Sequence, residues 1–162
     1  MTSTKRKKSP LHVVQLIPAL NEGGVERGVV ELNAYLIKKG YKSSIITSEG
    51  KQIRKIISDG GNVYRINIAS KNPIIFILSL FRLKRCLQTI HPDILHARSR
   101  IPAWQAFLIN RSLKIPFVTT VHGFNHISKY SEIMTKGDVV IAVSNPVKDY
   151  IVENYRVSSN KI

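Results

Sequence analysis

The stretch Val13-Val14-Gln15-Leu16-Ile17-Pro18-Ala19-Leu20-Asn21-Glu22-Gly23-Gly24-Val25-Glu26-Arg27 contains the change of period that decides the fold. An apolar run ends at Pro18, a loop follows, and Val25, Val29, Leu32 and Leu36 then recur at the spacing of one helix face. In order this is strand, glycine turn, helix. Gly23 and Gly24 lack a Cβ, so they can take positive φ at the turn and let a ligand approach the backbone closely. The helix behind them aims unpaired N–H groups and the positive end of its dipole into the loop, which suits a diphosphate or a polar sugar edge. A tight strand-to-helix turn explains a glycine pair equally well, so the pair alone names no ligand.

The same alternation continues to the end of the chain. Apolar runs rich in β-branched residues recur at His12–Ile17, Ser43–Thr47, Val63–Ile68, Asp93–His96, Pro116–Val121 and Val139–Val143. Helical stripes lie between them: Ile53, Ile56 and Ile57 before Gly60-Gly61, then Phe76, Leu80, Leu83, Leu87 and Ile90 between Pro73 and Pro92. Trp104, Phe107, Leu108 and Leu113 form the next, and Val147, Tyr150, Ile151 and Tyr155 the last. Continuous apolar strands alternating with helices predict an α/β fold, a Rossmann-like doubly wound parallel sheet of about six strands with right-handed crossovers. Ligands of such sheets sit outside the carboxyl ends of the strands. That points to Asn21–Gly24, Ala97–Arg100, His122–Asn125 and Ser144.

Composition narrows the class. The 162 residues suffice for one domain with a single core. Cys86 is the only cysteine, which excludes an internal disulfide and fits a reducing, cytoplasmic setting. Residues 1–10 read as a basic disordered tail, and residues 11–162 as the domain. The apolar stretch Pro73 to Phe81 falls far short of the roughly 20 residues of a spanning helix. The formal net charge is +15, and between Arg65 and Lys129 the only acidic residue is Asp93. A field of one sign attracts polyanions: nucleic acid, anionic lipid or phosphorylated substrates. No zinc-finger spacing, RNP-type strand or helix-turn-helix accompanies it, which argues against nucleic acid.

Other motif classes fall away on spacing. Gly23-Gly24 lacks the dinucleotide fingerprint, and there is no Gly-Lys-Ser/Thr of a P-loop. His122 and His126 are four apart but have no third ligand, so no metal site is expected. Ser144 precedes the last helix, where an N-cap role suffices.

Taken together, four segments resemble one family. They are Gly23-Gly24-Val25-Glu26-Arg27, Pro92-Asp93-Ile94-Leu95-His96-Ala97-Arg98, Thr119-Thr120-Val121-His122-Gly123, and Gly137-Asp138-Val139-Val140-Ile141-Ala142-Val143-Ser144. The chain is similar to the N-terminal, acceptor-side half of a GT-B fold glycosyltransferase of the family 4 type, whose members are retaining, metal-independent hexosyl transferases. The resemblance covers residues 11–162.

It implies a nucleotide-sugar donor, a glycan or glycolipid acceptor, and no cofactor. It places Gly23 and Gly24 against the donor diphosphate and sugar, with Ser144 also on the donor side. His122 would face the transferred sugar as the catalytic residue, orienting and polarising while the donor phosphate takes the acceptor proton. Arg98 and Arg100 could grip an anionic acceptor through bidentate bonds, with Asn21, Arg27 and Asn125 beside them. The family's second domain carries most donor contacts, and its motifs are absent here. The expectation is therefore a half-enzyme, inactive alone, whose C-terminal domain is missing or supplied by a separate chain.

In the helix over residues 73–90, Ile74, Ile75, Ile77 and Phe81 exceed what one buried stripe uses, and Arg82, Lys84 and Arg85 follow. That pattern suits an anchor on an anionic membrane surface, peripheral at the inner face. The sequence thus predicts transfer of a hexose to a lipid-linked or cell-envelope glycan, such as lipopolysaccharide. A non-catalytic binding module and a basic nucleic-acid-binding protein remain as alternatives.

Overall fold

A computed structural model describes residues 9–162; most of the expected basic tail lies outside the described residues. The strands are β1 (His12–Leu16), β2 (Lys42–Thr47), β3 (Asn62–Arg65), β4 (Ile94–Ala97), β5 (Phe117–Val121) and β6 (Val139–Ala142). The helices are α1 (Gly24–Lys38), α2 (Ile53–Ser58), α3 (Pro73–Ile90), α4 (Arg100–Leu113), α5 (Lys129–Glu132) and α6 (Asn145–Tyr155). All pairings are parallel, in the order β3-β2-β1-β4-β5-β6. This is the expected Rossmann-like α/β fold. The order reverses between β1 and β4, which opens a crevice at their carboxyl ends, as in other doubly wound sheets.

Alternation along β1 builds both faces. Val14 and Leu16 join a core with Leu83 and Leu87 of α3 and Ala103, Ala106 and Ile109 of α4. Ile17, the residue after β1, joins Val29 of α1 and Ile53 and Ile56 of α2 on the opposite side. Leu16, Ile45, Ile46 and Leu95 are fully buried, each stabilising the sheet by about 2 kcal/mol. At the amino edge, His12 donates its backbone N–H to Asp93 at 2.7 Å. Its ring bridges the Ile90 carbonyl at 3.1 Å and the Ser44 hydroxyl at 2.8 Å, which fastens the end of α3 beneath β1 and β2.

α3 has the predicted bounds but a shifted seam. Its buried line is Ser79, Leu83 and Leu87. Ser79 fits there because its hydroxyl donates to the Phe76 carbonyl at 2.8 Å and accepts from Gln105 Nε2 at 2.7 Å. Asn72 caps the helix by accepting from the Ile74 and Ile75 N–H groups. The opposite side of its first turns is open, with Ile74 69%, Ile77 52% and Phe81 70% exposed. No helix among the described residues is long and apolar enough to cross a membrane.

Candidate functional site at the sheet switch point

The glycine turn does not use the positive φ open to glycine. Gly23 is extended, at φ 170° and ψ 168°, and serves as the N-cap of α1. Positive φ occurs instead at Gly40, Gly50 and Gly60. The glycine pair has another use. A Cβ on Gly23 would strike the Glu26 carboxylate folded back over the turn, whereas one on Gly24 would meet nothing. The first residue of α1 is therefore open to a close approach, and no side chain caps the helix.

Next to it lies a cavity of about 140 Å³ lined by Val25, Arg98, Ser99, Arg100, Thr120, Val121, His122, Asn125 and Met134. The parallel topology puts the ends of β1, β4 and β5 on one edge, and the cavity fills the crevice between them. Ser99 is the N-cap of α4, and its hydroxyl makes no capping bond. Two uncapped helix N-termini thus flank the cavity, and their partial positive charge adds to that of Arg98. An anionic group is the natural complement.

Arg98 is held from below. Its backbone N–H donates to the Leu16 carbonyl at 3.0 Å, and Nη2 donates to Gln15 Oε1 at 2.8 Å. Gln15 is fully buried and passes the tie to α1 by donating Nε2 to the Val29 carbonyl at 3.3 Å. Arg98 Nε is buried without a partner, and burial lowers the guanidinium's pKa.

His122 follows β5. Burial pushes its pKa down, Arg98 pushes the same way, and the Glu26 carboxylate pulls it up. The neutral imidazole is favoured, with Nε2 buried and unbonded. Such a ring orients a partner by hydrogen bonding. Behind it, His96 shares a hydrogen bond of 2.7 Å with the Thr120 hydroxyl. Burial, with Arg98 and His122 adding to it, pushes the His96 pKa down to about 3.

The remaining predicted residues divide. Arg100 lines the cavity, reaches the Ser131 hydroxyl at 3.4 Å and stacks over the Tyr130 ring at 5.1 Å. Asn125 lines it too, its loop pinned by the Tyr150 hydroxyl donating to the Asn125 carbonyl. Asn21 is exposed, with its carbonyl accepting from Gln52. Arg27 is exposed and pairs with Glu31 at 2.7 Å along the helix. Ser144 caps α6 by accepting from the Val147 N–H and lines a separate groove along β6 with Ile162. Gln15, Glu26, His96 and Thr120 were not singled out from the sequence. The signal for Gln15 was a polar residue inside an otherwise apolar strand. Among the described residues no group of three or more His, Cys, Asp or Glu side chains could hold a metal ion.

A doubly wound sheet with a cationic crevice at its switch point belongs to the class of α/β folds that bind ligands at the carboxyl edge. The family model Glycosyltransferase Family 4 matches residues 22–162, and the chain belongs to that family. A glycosyltransferase from Rickettsia africae ESF-5 superposes with a TM-score of 0.82 at 34% identity, over 94% of this chain and 42% of that one. The lipopolysaccharide outer core galactosyltransferase WaaB, in its apo form, gives 0.74 at 14% identity over 94% and 44%. A UDP-GlcNAc 2-epimerase from Methanocaldococcus jannaschii gives 0.69 at 14% identity over 94% and 44%. The fold is therefore shared by transferases and an epimerase, and it is the family match that distinguishes among them. The chain spans less than half the length of each of these structures. A search of curated proteins finds no match.

Proposed function

We propose that this chain forms the acceptor-side half of a retaining glycosyltransferase. It would move a hexose from a nucleotide-sugar to a lipid-linked or cell-envelope glycan at the inner face of a membrane. The observation that carries the reading is the crevice holding Arg98, Arg100 and neutral His122 between the N-termini of α1 and α4. Gly24, open to close approach, would face the donor diphosphate. His122 would hydrogen-bond the transferred sugar, and the departing phosphate would take the acceptor proton, so no protein base is required. Arg98 and Arg100 would hold an anionic acceptor. No metal or organic cofactor enters this scheme, and the exposed start of α3 would rest on anionic lipid. The similarity to WaaB supports an envelope glycan as acceptor.

Donor contacts in this reading come mainly from a second domain, joined or separate. The chain alone should then bind common nucleotide-sugars weakly and transfer nothing, as read by calorimetry and by radiolabelled sugar entering the lipid extract. Fused to the remaining portion of the Rickettsia relative, it should gain transfer that His122→Ala reduces at least a hundredfold. Turnover by the chain alone, or a fusion indifferent to His122→Ala, would sink the proposal.

A further inference from the structure

A second recess, of about 540 Å³, lies on the same edge of the sheet as the crevice. Its walls come from the loop after β3 and the starts of α3, α4 and α5. Phe76, Ile101, Trp104, Leu108 and Tyr130 line it, with Lys71 at the loop. The size falls within the roughly 300–1,000 Å³ of ligand pockets. Trp104 donates Nε1–H to the Tyr130 carbonyl at 3.1 Å, so the only polar atom of its indole is satisfied and the ring itself is free to meet apolar matter.

One stacked pair separates this recess from the crevice. Tyr130 lines the recess, and the Arg100 guanidinium on its ring lines the cavity of His122. From the geometry we propose that the recess holds the hydrocarbon chain of a phosphate-headed lipid, with the phosphate between Lys71 and Arg100. The inference rests on the transferase reading for its acceptor. Charge complementarity selects this occupant over a second copy of the chain. Lys71 and Arg100 supply two cations, while Glu132 at the end of α5 is paired with Lys136 at 2.5 Å and Asp93 lies at the opposite edge, tied to His12. Of the α3 residues only Phe76 lines the recess, whereas Ile74, Ile77 and Phe81 are exposed on the outer side of the same helix.

Trp104 is the only tryptophan, so its emission reports this site alone. Titration with 12-bromododecyl phosphate below its micelle concentration should quench Trp104 saturably. The matching bromoalcohol should bind at least tenfold more weakly, and inorganic phosphate should leave the emission unchanged. Shortening the probe to 8-bromooctyl phosphate should weaken binding by roughly fourfold for each methylene lost. Leu108→Glu should cost tenfold or more and Lys71→Gln about threefold, whereas Ile57→Ser, exposed on α2 and not part of the recess wall, should leave the affinity unchanged. Circular dichroism checks that each variant is folded, and Leu108→Gln gives a milder second test of the wall. Equal affinity for alcohol and phosphate, indifference to both Leu108 variants, or quenching lost on dimer formation would each overturn the inference. Transfer by the fusion described above to a soluble oligosaccharide, with no Trp104 quenching in the chain itself, would overturn the recess alone. Quenching without any transfer would overturn the transferase reading alone.

Discussion

Arg98 Nη2, just past the end of β4, donates at 2.8 Å to Gln15 Oε1 on the neighbouring β1, 83 residues away in sequence, where the sheet reverses its order. The bond fixes a cation at the carboxyl edge from beneath, using a fully buried amide that also grips the backbone of α1. The switch point therefore has a charge built into its floor.

Removing the amide tests this. Gln15→Leu leaves the half-buried guanidinium short of its acceptor, which should destabilise the fold by about 1–3 kcal/mol. Adding Arg98→Leu should restore part of that, because the orphaned charge goes with it. Urea unfolding of the two single variants and the double variant measures the coupling. Strict additivity would mean that the pair contributes nothing beyond its separate residues.

His96 sets the response to acid. Its folded pKa of about 3 lies below the ordinary 6.5, so between those values the unfolded chain takes up a proton that the folded chain does not. The resulting stability is complete above pH 6.5 and is lost as pH falls toward 3, by up to about 1.4 kcal/mol per unit. His12 and His122, also lowered mainly by burial, act in the same direction. Urea midpoints at falling pH should follow this slope. His96→Gln should flatten it, and an unchanged slope would assign the acid sensitivity elsewhere.

Ser144 separates a capping role from a ligand role. Its hydroxyl accepts from the Val147 N–H at the start of α6, away from the His122 cavity. Ser144→Ala should cost about 1 kcal/mol of stability, seen as a lower thermal midpoint. In the fusion, transfer measured well below that midpoint should be unaffected. A large loss of transfer with stability intact would return Ser144 to the donor side.

The strands were readable because parallel strands buried on both faces carry nearly unbroken apolar runs, and the helices because Pro73, Gly40 and Pro92 punctuate them. α5 was not foreseen: at four residues it is too short to show a period, and it rests on the Ser128 cap. The site was legible as a set of loops, since the carboxyl-edge rule needs only the order of the elements. Side-chain placement was not. Arg27 and Arg98 are both arginines beside a predicted crevice, yet one pairs with Glu31 along an exposed helix face and the other is drawn down onto Gln15. Only the register of β1 against β4, Gln15 opposite His96 and Leu16 opposite Ala97, decides which arginine enters.

The open start of α3 yields the last prediction. Ile74, Ile77, Leu78 and Phe81 are each more than half exposed, and Arg82, Lys84 and Arg85 follow on the same helix. An apolar face dipping into the acyl boundary contributes binding at any ionic strength, whereas basic residues near the surface add about 1 kcal/mol each and are screened by salt. The chain should sediment with vesicles containing anionic lipid, less so at high salt, and not with neutral vesicles. Ile75→Ser with Phe81→Ser should weaken sedimentation at every salt concentration. Arg82, Lys84 and Arg85 changed together to Gln should remove mainly the salt dependence. Equal sedimentation with anionic and neutral vesicles would rule out the electrostatic half of this account. Indifference to the Ile75 and Phe81 changes would rule out the apolar half.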